Sequence, residues 1–167
     1  MKLHHILTTL FVLTAAAFLF SSEPGKKPAT TSNGKKVLLA YEKTRFKNAL
    51  IERIQELLTQ DSVDVTVIKH SRRNMKNYSA ADYDAVFITN SGVRSKVRPW
   101  IVKWLQDNKS HGDNILLHTT QTKDWQVTVE VEAVTSASSM PDVEKLAEEY
   151  FAGIKSRYTE TDSSDVR

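Results

Sequence analysis

Five short stretches of this chain have the apolar content of β-strands, and they come in two patterns. Lys36 to Tyr41 (KVLLAY), Asp84 to Asn90 (DAVFITN) and Asn114 to Thr120 (NILLHTT) are continuous apolar runs, the signature of strands buried on both faces. Val63 to Ile68 (VDVTVI) and Val127 to Val134 (VTVEVEAV) alternate apolar with polar residues, so each has one wet face. Half-solvated strands belong at sheet edges. Numbered along the chain, strands 1, 3 and 4 are then central and 2 and 5 are outermost, which gives the order 2-1-3-4-5. That is a doubly wound α/β sandwich of three layers, with a mainly parallel sheet and a ligand crevice at the carboxyl ends of strands 1 and 3.

Helical periodicity fills the links. Lys47 to Leu58 places Leu50, Ile54, Leu57 and Leu58 on one face. Arg94 to Lys109 carries Val97, Trp100, Ile101, Trp104 and Leu105 at helical spacing, with both tryptophans read as core. A last helix from near Pro141 buries Val143, Leu146, Ala147, Tyr150, Phe151 and Ile154. One link is short: only Gln121 to Gln126 precede Val127, too few for a helical crossover. Two arrangements satisfy this. Either strand 5 is Glu130 to Thr135, reached by an extended loop, or Val127 onward returns as an antiparallel hairpin; the extended loop is favoured because the last helix must still return to the sheet.

The amino terminus has a different character. Met1 to Ser22 begins with Lys2 and continues with a largely apolar stretch from Ile6 to Phe20, shorter than the roughly 20 residues that span a bilayer and matching a secretory signal. Residues 1–22 are therefore expected to be a signal peptide or, alternatively, an uncleaved anchor. Residues 23–34 form a linker, 35–158 the folded domain and 159–167 a disordered acidic tail. The expected location is periplasmic or secreted, with no membrane span after cleavage. The chain has no cysteine, which excludes disulfides, thiolate metal sites, iron–sulfur clusters and a cysteine nucleophile.

Over most of Lys35 to Tyr158 the local text resembles the flavodoxin-like family. The residues that carry the resemblance are the VLLAY strand before a Thr-bearing loop, YDAVFITNSG before a helix, the Thr119–Trp125 segment (TTQTKDW) and Glu132–Ser138 before the final helix. The resemblance implies a flavodoxin-like fold, bound FMN, and electron transfer or flavin-dependent reduction with a redox partner. The family's phosphate loop is rich in Thr and Ser and carries Gly. Here it reads Glu42-Lys-Thr-Arg-Phe-Lys47, with Arg45 where the glycine is expected and Glu42 repelling a phosphate.

The candidate binding residues are Lys43, Thr44 and Arg45 of the first loop, Asn90, Ser91 and Gly92 after strand 3, and Thr120 and Trp125 after strand 4. By resemblance, Thr44 and the cations hold phosphate and Trp125 stacks on the ring. Trp125 has a second reading, folded back over the sheet end. Lys47, Arg94, Lys96 and Arg98 add charge to the same crevice, or form a solvated basic surface. The charge is uneven: residues 35–123 hold 16 Lys+Arg against 9 Asp+Glu, and residues 124–167 hold 4 against 10. Nucleic acid is not an expected partner, because the cations are scattered without interleaved aromatics. His70, His111 and His118 are isolated, with His118 read as a hydrogen-bonded interior imidazole, and no G-x-S-x-G elbow exists. Two functions follow: an FMN-dependent electron carrier or reductase, or a flavin-free module binding a small anion or a protein partner.

Overall fold

The computed structural model describes residues 34–92, 96–121, 127 and 129–164, the side chains of 160–164 excepted. Five strands, β1 (Lys36–Tyr41), β2 (Asp64–Lys69), β3 (Ala85–Ser91), β4 (Ile115–Thr120) and β5 (Glu132–Ser136), form one sheet in the order 2-1-3-4-5. Every neighbouring pair is parallel. The expected flavodoxin-like architecture is borne out, and so is the reason for it: β3 and β4 are buried along almost their whole length, whereas β2 and β5 are mostly half-exposed.

Helices cover both faces. On one, Phe46, Leu50 and Ile54 of α1 (Arg45–Gln60) and Tyr150 and Ile154 of α3 (Val143–Ser164) close over Val37, Leu39, Phe87 and Leu116. On the other, Ile101, Trp104 and Leu105 of α2 (Pro99–Asp107) close over Leu38, Val86, Ile88 and Leu117. Period-2 alternation along each strand sends successive side chains to opposite layers, so one apolar run serves two cores. Trp104 also donates its indole N–H to the Tyr78 carbonyl at 2.8 Å.

Three expectations are corrected. The second helix starts at Pro99, not Arg94; 96–98 are non-helical, and Arg98 is extended (φ −61°, ψ 137°) because a residue before proline is pushed out of the helical region. The last helix runs on to Ser164, past residue 159 where the tail was expected to begin. The last strand is parallel and starts at Glu132, two residues later than the extended-loop reading placed it. No α-helix covers the β4–β5 link among its described residues; Val127, Val129 and Val131 pack there against the α2 side of the core.

Candidate functional site

At the carboxyl edge, β1 gives way to Glu42, Lys43 and Thr44 before α1 begins. Thr44 is the N-cap: it is extended (φ −132°, ψ 161°) and its Oγ1 accepts from the Lys47 amide at 3.1 Å. The first turn of α1 contains no acid and two cations, Arg45 and Lys47, which oppose the positive end of the helix dipole. Arg45 points to solvent, whereas Lys47 is folded inward with 1% of its side chain exposed.

The counter-charge comes from Glu42. Its Oε2 accepts from the Lys47 ammonium at 2.6 Å and from the Ser91 hydroxyl, while Oε1 accepts from Arg98 Nε. Lys47 also donates to Ser91 Oγ at 2.8 Å, and the Glu42 amide donates to Thr89 Oγ1 at 3.1 Å. Burial alone would raise the Glu42 carboxyl, but hydrogen bonds from Lys47, Ser91 and Arg98 outweigh it and bring it down to about 2. Burial pushes the Lys47 ammonium below its ordinary value, with Glu42 opposing. The result is an internal carboxylate seated at a helix N-terminus, where this fold elsewhere offers donors to an anion.

His70 ties the neighbouring turn to this knot. Its amide donates to the Tyr41 carbonyl (2.9 Å), and its Nε2 donates to the Thr89 carbonyl (2.7 Å). Nδ1 is left to accept from the Trp100 indole at 3.4 Å, so the ring is neutral. Burial pushes its pKa down, the Thr89 bond notwithstanding. Arg98 lies over the Trp100 ring, 5.2 Å from its centroid.

The sequence-predicted residues separate into distinct roles. Ser91 belongs to the Glu42 network. Asn90 is fully buried and shapes the entry to α2, accepting from the Arg98 amide at 3.1 Å. Thr120 donates to the Asn90 carbonyl (3.4 Å), and the Gly92 amide donates to the Thr120 carbonyl (2.8 Å), so both hold β3 and β4 together. Lys43, Thr44 and Arg45 are exposed. Trp125 and Arg94 lie outside the described residues. Glu42, His70 and the pairing of Lys47 were missed. The one available signal was the Glu42/Lys47 separation, which brings an acid just before a helix near its third residue.

A flavin phosphate does not fit this arrangement. Lys47 and Ser91 are committed to Glu42, the Lys47 amide is committed to the Thr44 hydroxyl oxygen, and Arg45 brings a side chain where a phosphate nest needs open backbone. His118 offers no alternative centre. Its ring is fully buried near Phe87 (6.1 Å, 7° between planes) and Tyr150 (4.9 Å), with Nε2 on Ser136 Oγ at 2.9 Å, as expected of an interior imidazole. Burial and then the Lys47 charge lower its pKa to about 3. Among the described residues no group of three His, Asp or Glu is placed to hold a metal ion.

No protein-family model matches the sequence, and no curated protein does. Solved structures do resemble it. A flavodoxin from the domain Archaea is 13% identical over 73% of this chain and 98% of its own, with a TM-score of 0.49. A mutant flavodoxin from Pseudomonas aeruginosa is 10% identical over 72% and 99%, with a TM-score of 0.44. A response regulator protein from Burkholderia multivorans is 17% identical over 70% and 94%, with a TM-score of 0.40. The chain has a flavodoxin-like fold, and its own carboxylate occupies the crevice at the carboxyl ends of β1 and β3.

Proposed function

We propose that this chain is a flavin-free flavodoxin-like module that binds an anionic partner at the carboxyl edge of its sheet. One observation carries the reading: Glu42 neutralises the buried Lys47 and engages Ser91 and Arg98, which spends the donors a cofactor phosphate would need. Exposed cations remain around it at Lys43, Arg45 and Lys96. The fold by itself does not assign an activity.

The test is flavin titration of the purified chain at low and moderate salt. The expected result is a colourless protein that leaves FMN fluorescence unquenched. Saturable quenching, lost in Arg45→Glu, would replace this reading with FMN-dependent electron transfer or reduction.

The apolar stretch from Ile6 to Phe20 supports export to the periplasm or medium. Amino-terminal sequencing of the fractionated protein checks this: a start beyond residue 14 in the exported fraction is expected, and an intact Met1 in the cytosol would overturn it.

A further inference from the structure

We propose that the turns after β1 and β2 and the segment before α2 form one site for clustered phosphate groups. The inference deepens the flavin-free reading and rests on it. Strands β2, β1 and β3 are neighbours, spaced by about 4.8 Å each, so the segments that leave their carboxyl ends lie side by side. Those segments carry exposed Lys43 and Arg45, Lys69, Arg72 and Arg73, and Lys96. Among the described residues none of the six is held in an ion pair.

Within 42–45, 69–76 and 96–98 the acidic residue is Glu42, already neutralised. The Arg72–Arg73 turn is built: Asn74 accepts from the Ser71 amide at 2.7 Å and donates to the Lys69 carbonyl at 2.5 Å. His70 fastens that turn to β1, β3 and Trp100. Exposed arginine forks and ammonium groups carried on a fixed backbone turn, with no local counter-charge left over, suit a compact ligand bearing several phosphates. The described part of the rim holds no exposed large apolar side chain, so recognition is by charge.

The probe is tripolyphosphate, measured by calorimetry on the purified full chain. Saturable binding is expected, weakened severalfold or more between 50 and 200 mM salt, on the order expected from screening. Arg72→Glu/Arg73→Glu and, separately, Lys43→Glu/Lys96→Glu should each weaken it about tenfold or more, with the circular dichroism spectrum unchanged. Lys103→Glu, on the outer face of α2, should not.

Flotation with phosphatidylcholine vesicles containing phosphatidylglycerol distinguishes the source. Vesicle binding lost in the same variants assigns the phosphates to a lipid surface, and tripolyphosphate binding alone assigns them to a soluble ligand; both support the site. Absent tripolyphosphate binding overturns it, as does equal loss in Lys103→Glu or loss through one loop pair only. Flavin quenching by the unchanged protein would sink the flavin-free reading instead, whereas absence of both bindings sinks only the phosphate site.

Discussion

The Lys47 ammonium lies 2.6 Å from Glu42 Oε2, with 1% of the lysine side chain and 11% of the glutamate side chain exposed. A charge so placed is tolerable only while its partner is ionised, because the desolvation of each ion is repaid by the other. Glu42→Gln should therefore destabilise the fold by about 3 kcal/mol, the order seen when one member of a buried pair is removed. Glu42→Gln/Lys47→Met should recover most of that. Urea unfolding of the three proteins checks it, and a single variant as stable as the parent would show the pair to be idle.

Acid should unfold this protein by a predictable route. Glu42, His70 and His118 all bind protons more weakly in the folded chain than in the unfolded one. The unfolded state therefore takes up protons first on acidification, and the stability these groups contribute is lost as pH falls. His118 acts from about pH 6.5 down towards about 3, and Glu42 from 4.5 down to about 2. Each group gives a slope of at most about 1.4 kcal/mol per pH unit. Urea midpoints measured from pH 8 to 4 should fall throughout the acid limb, and His118→Phe should flatten the part above pH 4.5. A parent midpoint constant between pH 7 and 5 would contradict this.

Ser62 closes α1 with φ 61°, the left-handed conformation that glycine adopts without steric cost. The bonds of a Schellman cap are in place, from the Ser62 amide to Thr59 and from the Val63 amide to Leu58, each 3.0 Å. Ser62→Gly should thus raise stability by about 0.5–1 kcal/mol, with melting several degrees higher. Calorimetry reads the difference; a lower melting temperature would mean that the serine side chain contributes something the backbone geometry does not.

His70→Leu keeps the bulk but removes the bonds to Thr89 and Trp100. Leaving the Thr89 carbonyl and an indole N–H without their partner should cost about 1–3 kcal/mol. Tryptophan emission should shift as the Trp100 indole loses its acceptor, and unchanged emission with unchanged stability would refute the strut.

Much of the fold was readable because burial on two faces and burial on one leave different residue patterns. β3 and β4 could only be central, and β2 with its Asp64 and Thr66 could only be an edge. The helical apolar spacing of Trp100, Ile101 and Trp104 continues upstream of Pro99 to Val97, and the proline, a local steric effect, overrules it and starts α2 at Pro99. Of the candidate site, Ser91 at the end of β3 meets Glu42 and Lys47 after β1, since topology places the carboxyl ends of those two strands side by side. The identity of the anion there was not legible. Glu42 and Ser91 are 49 residues apart, and no local pattern announces that the serine hydroxyl donates to that carboxylate.

Strand order, layer assignment and the two cores were thus determined by the chain's own apolar periodicity, which acts residue by residue through solvent exclusion. The tertiary structure alone decided that Glu42 faces inward onto Lys47, Ser91 and Arg98 instead of standing in water before α1. That choice depends on electrostatics among groups drawn from three separate elements. A charge pair gains its strength from distance and desolvation, and neither exists until the sheet has assembled.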